Sequence, residues 1–251
     1  MVSPELLRRA AELIRQGRLV AFPTETVYGL GANALDEAAV GRVFHVKGRP
    51  ATNPLIVHVD SVQMARGLVR RWPDAAEELA RRYWPGPLTL ILPKLPLVPD
   101  CVTAGLDTVG IRAPDHPLAL ALIREAGVPV AAPSANPFTG LSPTTAEHVR
   151  RTLGGAVDMI LDGGPCRVGI ESTVLSLAGD APRLLRPGMI SRDELASVIG
   201  PVAAGADAGG PMPSPGMHPR HYSPSTPLLL VASGAALPTG RGAYLWRDRP
   251  A

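Results

Sequence analysis

The sequence predicts an α/β or α+β domain built around one sheet, and two observations support this. Short apolar runs bounded by turn residues alternate with segments that have helical apolar spacing. A chain of 251 residues that is 45% hydrophobic and 19% charged can bury one large core, with or without an appendage. The predicted strands are residues 19–22, 55–59, 88–92, 109–112, 128–132, 159–161, 173–177 and 183–185.

The first two helices carry clear start and stop signals. Ser3 caps the first helix, Pro4 takes the first helical position, and Gly17 ends it. Asp36 caps the second helix, whose apolar residues repeat with the 3.6-residue period until Gly48 breaks it.

Two capping boxes predict later helix starts. In each, a hydroxyl residue is followed three positions later by a glutamate, as in Thr144 with Glu147 and Ser191 with Glu194. We expect the second of these helices to end near Ile199 and to close the compact main domain at residues 1–200.

The rest of the chain is predicted to be an appendage. Residues 201–227 are dense in glycine and proline, which neither helix nor sheet interior tolerates, so they form a linker. The aromatic and basic residues within 214–224 suggest that this linker can fold back as a lid over the active site. Residues 228–251 are too short for an independent core and are predicted to dock on the main domain or on a partner.

Composition excludes several classes of protein. A net charge of +3 permits contact with nucleic acid without requiring it. The two cysteines, Cys101 and Cys166, form no CxxC pair, which argues against a zinc ribbon or a disulfide scaffold. With no apolar run of 18 residues, we expect a cytoplasmic protein that does not span a membrane.

The most informative stretch runs from residue 23 to residue 54. Polar residues follow the first strand directly, and the second helix then delivers Lys47 and Arg49. Lysine is rare here, since Lys47 and Lys94 are the only two lysines among 25 basic residues. An ammonium and a guanidinium side by side suit a polyvalent anion, although cations at a helix C-terminus are also favoured by the helix dipole.

Other candidate positions lie where strands end. Ser134 and Asn136 stand between prolines, which suits a rigid phosphate cradle but is also ordinary turn chemistry. Arg112 ends one predicted strand, and Arg186 directly follows another. His58 lies inside an apolar strand, where a half-buried structural histidine and a substrate hydrogen bond both remain open.

Several common enzyme motifs are absent from the sequence. It contains no HExxH, no GxSxG and no GxxxxGK[ST], which excludes the metalloprotease, esterase and ordinary P-loop readings. Gly29, Gly31 and Ala34 fit a dinucleotide-binding pattern. Their distance from the preceding strand argues against that fold.

Several separated segments, in consistent order over about residues 5–200, together resemble the YrdC-like family of threonylcarbamoyl-AMP synthases. Residues 214–224 further resemble the linker of the family's long form, whose C-terminal domain we expect to be truncated here. The segments that carry the main resemblance are residues 23–31, 47–50, 54–59, 134–136, 171–174 and 186–188.

The resemblance implies both a fold and a reaction. The fold is α/β, a twisted open mixed sheet with flanking helices and a deep basic cavity. The reaction joins L-threonine, bicarbonate or CO2 and ATP, with Mg2+, into threonylcarbamoyl-AMP and pyrophosphate. The product supplies the modification of adenosine 37 of tRNA through a downstream threonylcarbamoyl-transfer complex.

The resemblance also implies roles for individual residues. Lys47 and Arg49 are the expected catalytic cations, and no protein ligand for a metal is implied. Tyr222 and His221 are expected to shield the product, whereas His218 stands where the long form usually has Lys or Arg, which Arg220 could replace. The nucleotide site would comprise Lys47, Arg49, Arg112, Ser134, Asn136, Ser142, Arg186 and Tyr222. The threonine site would comprise Thr24, Thr26, Tyr28, Arg49, His58, Thr108 and Ser172.

Two alternatives stay open. A basic concave surface can hold double-stranded RNA by its shape and phosphates, as in a tRNA-binding or ribosome-maturation module without turnover. A related carbamoyl transfer in hydrogenase maturation uses a similar domain beside cysteine-rich zinc motifs, which two cysteines make unlikely.

Overall fold

The computed structural model describes residues 2–205, and its centre is one mixed sheet. Within those residues the sheet has ten strands in the order β10-β9-β8-β4-β5-β3-β6-β2-β1-β7. The strands are β1 (Val20–Pro23), β2 (Tyr28–Asn33), β3 (Ile56–His58), β4 (Leu88–Pro93), β5 (Thr108–Arg112), β6 (Val130–Ala131), β7 (Met159–Ile160), β8 (Thr173–Ser176), β9 (Arg183–Arg186) and β10 (Ala203–Ala204).

Parallel and antiparallel pairs are mixed along this sheet. β3 runs parallel to β5 and β4 parallel to β8, whereas β1 with β2 and β4 with β5 are antiparallel. The α/β class and the mixed sheet expected from the sequence are therefore confirmed.

Helices cover both faces of the sheet. Residues of β1 alternate between the two faces, so that Val20 and Phe22 pack with α1 and α6 while Leu19 and Ala21 belong to the larger core on the other side. This explains why the strand is apolar throughout. The helices are α1 (Pro4–Arg15), α2 (Glu37–Lys47), α3 (Val62–Arg66), α4 (Asp74–Tyr83), α5 (Asp100–Thr103), α6 (Pro117–Ala126), α7 (Ala146–Thr152) and α8 (Arg192–Ile199).

Three of the four predicted caps are confirmed. The Ser3 hydroxyl accepts the Leu6 amide at 3.2 Å, Asp36 caps α2, and Ser191 forms the predicted capping box of α8. The predicted Thr144 cap is wrong by one residue: Thr145 caps α7, while the Thr144 amide donates to the ring of His148.

Strand β2 was not predicted, because the expected strands include none between residues 22 and 55. Glycine has a low strand propensity, but a glycine is needed at positions 29 and 31, where the Phe22 ring packs closely against β2. A Cβ on Gly31 would lie 2.7 Å from Phe22 Cε1 and 2.9 Å from Val130 Cγ1. β1 and β2 therefore form a hairpin, and its turn at residues 24–27 presents polar side chains.

The structure describes only the first residues of the predicted appendage. Strand β10 pairs with β9 inside the first residues of the predicted linker. The remainder of that linker and residues 228–251 lie outside the described residues. Among the residues that are described, no helix is long and apolar enough to cross a membrane.

A pair of glycine substitutions tests the packing of the hairpin. Gly31→Ala is expected to destabilise the fold by about 1–3 kcal/mol, because the added methyl group overlaps Phe22 and Val130. Gly41→Ala, on the exposed face of α2 with nothing within 4 Å, is expected to stabilise it by about 0.5–1 kcal/mol. Urea unfolding of both variants checks this, and equal effects would contradict the packing described.

Candidate active site

A polar cleft of about 480 Å³, measured with its opening to solvent, lies where several strands end. The hairpin turn, β3, β5 and the segments after β6 and before β8 all contribute to its walls. Buried cations and hydroxyl groups dominate its polar lining, which includes Thr24, Thr26, Arg49, Arg112, Ser134 and Arg186. With His58, seven residues predicted to bind nucleotide or threonine therefore meet in one place.

Arg112 is held by hydrogen bonds and by an ion pair. Its Nε donates to the Gly86 carbonyl at 3.2 Å and its Nη1 to the Thr26 hydroxyl at 3.0 Å. Its Nη2 lies 2.7 Å from Oε1 of Glu25, and both side chains are buried. Glu25 does not line the cleft, so its carboxylate compensates the charge of Arg112 from behind.

His58 lies beside Arg112 because their strands pair in parallel with these two residues in register. Burial first, and the charge of Arg112 second, lower the pKa of His58 to about 3. The edge of its ring packs against Phe22, with centroids 6.1 Å apart. His58 is therefore neutral at physiological pH, and it lines the cleft.

The hairpin turn fixes its own hydroxyl groups. The Thr24 hydroxyl donates to the Val27 carbonyl at 2.7 Å and lies 2.9 Å from the hydroxyl of Thr26. Residues 168 and 169 cover the turn from outside, since their amides donate to the carbonyls of Glu25 and Thr26. The turn is thus held before any ligand arrives.

Lys47 is buried and clamps the loop that follows β6. Its Nζ donates to the carbonyls of Ser134 and Asn136, and Lys47 is not among the cleft-lining residues. Burial first, then the charge of Arg49, lower its pKa to about 7, while Glu171 acts in the opposite direction. Lys47 therefore shapes the cleft through backbone contacts.

Arg49 is fixed by the backbone that follows it. Its Nε donates to the Asn53 carbonyl at 3.0 Å, and its Nη2 donates to Asn53 Oδ1 at 2.6 Å and to the Pro54 carbonyl at 2.8 Å. Unlike Lys47, this side chain reaches the cleft. Lys47 therefore holds a loop through backbone carbonyls, whereas Arg49 lines the cleft.

The opposite wall is built by Arg186 and Glu171. The Arg186 guanidinium donates to the carbonyl and hydroxyl of Ser172, at 3.0 and 3.1 Å. Glu171 accepts the Ser142 hydroxyl at 2.9 Å and lies 3.9 Å from Arg186. The backbone approaches closely here, because a Cβ on Gly188 would lie 2.4 Å from the Thr173 nitrogen.

Some predicted site residues do not line the cleft. Tyr28 is fully buried, its hydroxyl donates to the Gly164 carbonyl, and burial raises its pKa to about 12. Ser172 and Asn136 are buried behind the wall, where Asn136 holds its own loop through the carbonyls of residues 137 and 140. Thr108 begins β5, at the far end from Arg112 and about 13 Å along the strand. Tyr222 lies outside the described residues.

Glu25 and Glu171 were not predicted as site residues, although both stand within the segments that carry the family resemblance. No carboxylate was given a role in the predicted site. A carboxylate between two threonines in an apolar surrounding was the available signal for Glu25, since a buried charge needs a partner.

The fold and the cleft define a class, an α/β protein with a mixed sheet and a cleft lined by buried guanidinium and hydroxyl groups. The chain belongs to the Sua5/YciO/YrdC family, whose family model, described as "Telomere recombination", matches residues 12–188. A second model, described as "Threonylcarbamoyl-AMP synthase, C-terminal domain", matches residues 190–245. The resemblance seen in the sequence is thereby confirmed.

Known relatives agree with this assignment. Proteins named threonylcarbamoyl-AMP synthase from Bacillus subtilis and Pyrococcus abyssi are 52% and 51% identical, over 89% and 90% of this chain. The chain spans about two thirds of their length, 66% and 67%.

Solved structures support the same conclusion. P. abyssi Sua5, solved in complex with L-threonine, matches with a TM-score of 0.87 at 50% identity, over 90% of this chain and 67% of that one. Full-length HypF matches with a TM-score of 0.61 at 24% identity, over 72% of this chain and 28% of that one, and shows the fold alone.

The pKa of Lys47 predicts a pH dependence of stability. Because folding lowers this pKa from 10.5 to about 7, the unfolded chain binds more protons between those values. The stability contributed by this group therefore rises with pH across that window, by at most about 1.4 kcal/mol per pH unit. Urea unfolding of the natural chain and Lys47→Met at pH 7, 8 and 9 should show a gap that grows in favour of the natural chain. Parallel pH profiles would contradict the prediction.

Proposed function

We propose that this chain makes threonylcarbamoyl-AMP from L-threonine, bicarbonate and ATP, and releases pyrophosphate. The observation that carries the proposal is a cleft in which three buried guanidinium groups meet the hydroxyls of Thr24, Thr26 and Ser134. This cleft occurs in a chain half identical to proteins named for that product and to a structure that holds L-threonine.

The reaction has two balanced parts. The threonine amine attacks the carbon of bicarbonate, a C–N bond forms, and the hydroxyl leaves as water with a proton from the amine. A carbamate oxygen then attacks the α-phosphorus of ATP, and the bond to pyrophosphate breaks. Neither part needs a covalent bond to the protein, so positioning and charge stabilisation suffice.

The cations of the site would have different roles in this reaction. Arg49 and Arg186 both line the cleft and would neutralise the phosphate oxygens, and Ser134 beside them would hold the nucleotide. Ser142, which donates to the cleft-lining Glu171, would assist in holding the nucleotide. Thr24 and Thr26 would orient threonine from the hairpin turn. Lys47 would act through the loop that it clamps, as a positioning residue. Closure by Tyr222 stays a prediction.

Mg2+ fits this site as a companion of the nucleotide. The described residues contain no group of three or more His, Cys, Asp or Glu side chains that could hold a metal. Mg2+ in nucleotide sites usually keeps its waters and binds phosphates with one or two carboxylates, and Glu171 is the carboxylate that lines the cleft. When bound, Mg2+ would neutralise charge on the pyrophosphate.

The product would serve tRNA modification. An acyl adenylate is a reactive donor, and transfer to adenosine 37 of tRNA requires a downstream threonylcarbamoyl-transfer complex. These partners follow from the family and remain part of the proposal.

Turnover tests the proposal directly. Purified protein with ATP, Mg2+, bicarbonate and labelled L-threonine should yield threonylcarbamoyl-AMP and pyrophosphate. Arg186→Gln should lower kcat/KM by about 100-fold or more, because a preorganised charge at the phosphates is lost. Arg183→Gln, at the other end of β9 and away from the cleft, should retain the activity.

Two results would contradict the proposal. A natural protein that binds RNA but forms no product would favour the RNA-binding alternative. Equal activity of the two arginine variants would remove Arg186 from the nucleotide site.

A further inference from the structure

A second cavity lies next to the cleft, at the ends of the same two strands. It measures about 600 Å³ with its opening to solvent. The chain of β5 contributes Arg112 to the cleft and the next residue, Ala113, to the second cavity, while β3 contributes His58 to the cleft and leads to Asp60 in the second cavity. Among residues 2–205, no residue lines both. The second cavity is therefore a separate site whose wall adjoins that of the cleft.

Trp84 forms the aromatic part of the second cavity. Its indole Nε1 donates to the Leu88 carbonyl at 2.7 Å, and the ring of Trp72 packs against it with centroids 5.9 Å apart. Because the indole N–H is already used, Trp84 offers a ligand only its ring surface. Val62 and Ala80 add aliphatic surface beside it. This lining suits a flat apolar group.

Charged groups of both signs border the apolar lining. The Asp60 carboxylate accepts the Ser61 hydroxyl at 2.7 Å, and its other oxygen lies 3.8 Å from Nε of Arg124. Arg124 is 61% exposed, so solvent weakens that ion pair and leaves Asp60 available to a cation. Arg81 lines the cavity one turn after Glu77 on α4. The cavity thus presents carboxylates and a guanidinium beside an apolar surface.

Glu77 is already engaged by its neighbours. Its Oε2 accepts hydrogen bonds from Arg66 Nη2 at 2.9 Å and from Trp72 Nε1 at 2.7 Å. Asp60 is therefore the better partner for a ligand cation, and Arg81 is the partner for a ligand anion.

We propose that the second cavity binds a free aromatic α-amino acid. Its ammonium binds Asp60, its carboxylate binds Arg81, and its ring packs against Trp84. A ligand with only a positive charge is repelled by Arg81, and one with only a negative charge is repelled by Asp60 and Glu77. A free α-amino acid carries both charges beside one apolar side chain, whereas the end of a peptide chain carries only one of them.

Gly86 connects the second cavity to Arg112. Its amide donates to the Ala113 carbonyl at 2.8 Å, and its carbonyl accepts Nε of Arg112 at 3.2 Å. The preceding residue, Pro85, lines the second cavity. The packing leaves no slack, since a Cβ on Gly86 would lie 2.2 Å from the Tyr83 carbonyl oxygen.

A ligand in the second cavity should therefore act on the cleft. By pressing on the segment that holds Arg112, it displaces a guanidinium that the protein has oriented in advance, and displacement of such a group lowers activity. This regulatory role rests on the proposed function, whereas the binding site itself does not.

Binding of L-phenylalanine to the full chain, followed by calorimetry, tests the site. Phenethylamine lacks the carboxylate and 3-phenylpropanoate lacks the ammonium, so each should bind about 10-fold or more weakly, the cost of one lost hydrogen bond between charged groups. Arg81→Gln and Asp60→Asn should each weaken L-phenylalanine binding by a similar factor. Arg82→Gln, the next residue of α4 and outside the cavity lining, is the matched control and should bind like the natural chain.

Three binding results would overturn the site. They are no saturable binding of L-phenylalanine at millimolar concentration, binding of both analogues as tight as that of L-phenylalanine, and equal losses in Arg81→Gln and Arg82→Gln. Displacement of L-phenylalanine by L-threonine, with no effect of the Asp60 and Arg81 changes, would place the ligand in the cleft and would overturn the site as well.

Kinetics separate the regulatory role from the function on which it rests. Saturating L-phenylalanine should lower kcat/KM for threonine by about 5-fold or more in the natural chain, and should leave Arg81→Gln nearly unaffected. Unchanged kinetics with intact binding would overturn the regulatory role. Absence of turnover in the natural chain without L-phenylalanine would overturn the proposed function instead, and the binding measurements would still decide on the site.

Discussion

The buried pair of Glu25 and Arg112 is the interaction on which the cleft depends. Removing two charges from water is costly, and an ion pair repays this only when its geometry and its further hydrogen bonds are good. On the Arg112 side, further hydrogen bonds to Gly86 and Thr26 offset part of this cost. These contacts join the hairpin turn, β5 and the segment before β4, so three distant parts of the sequence meet at one guanidinium. The position of His58 follows from the same strand pairing.

The other cations of the site are also held by hydrogen bonds within the protein. Arg49 and Lys47 donate to backbone carbonyls, and Arg186 donates to the carbonyl and hydroxyl of Ser172. Their positive charge is therefore oriented by the protein before any substrate binds. Preorganised charge costs no rearrangement when charge develops during the reaction, which is how phosphoryl chemistry can proceed with little covalent help from the protein.

Local patterns predicted most of the fold, and pairing between distant segments explains what they missed. Caps such as Ser3 and Asp36 act over a few residues and were readable directly. Strand β2 was not, because Gly31 is required by the Phe22 ring of the neighbouring strand and carries no strand signal of its own.

In the candidate site, too, local sequence indicated residue types but not the contacts between distant segments. Arg49, Arg112, Arg186 and His58, which the sequence singled out, all line the cleft, and their roles there stay predictions. Local sequence could not show that the Lys47 ammonium turns onto two carbonyls, that the Tyr28 hydroxyl faces a loop, or that Thr108 begins the strand that Arg112 ends. Side-chain direction depends on tertiary contacts that a single sequence does not contain.

A double-mutant cycle on Glu25→Gln and Arg112→Met tests the central claim most directly, with unfolding free energies measured in urea. If the buried pair organises the cleft, each single variant leaves a buried group without its partner, and the double variant loses less than the sum of the two. The account predicts a coupling energy of about 1–3 kcal/mol. Additive losses, with a coupling energy near zero, would contradict it.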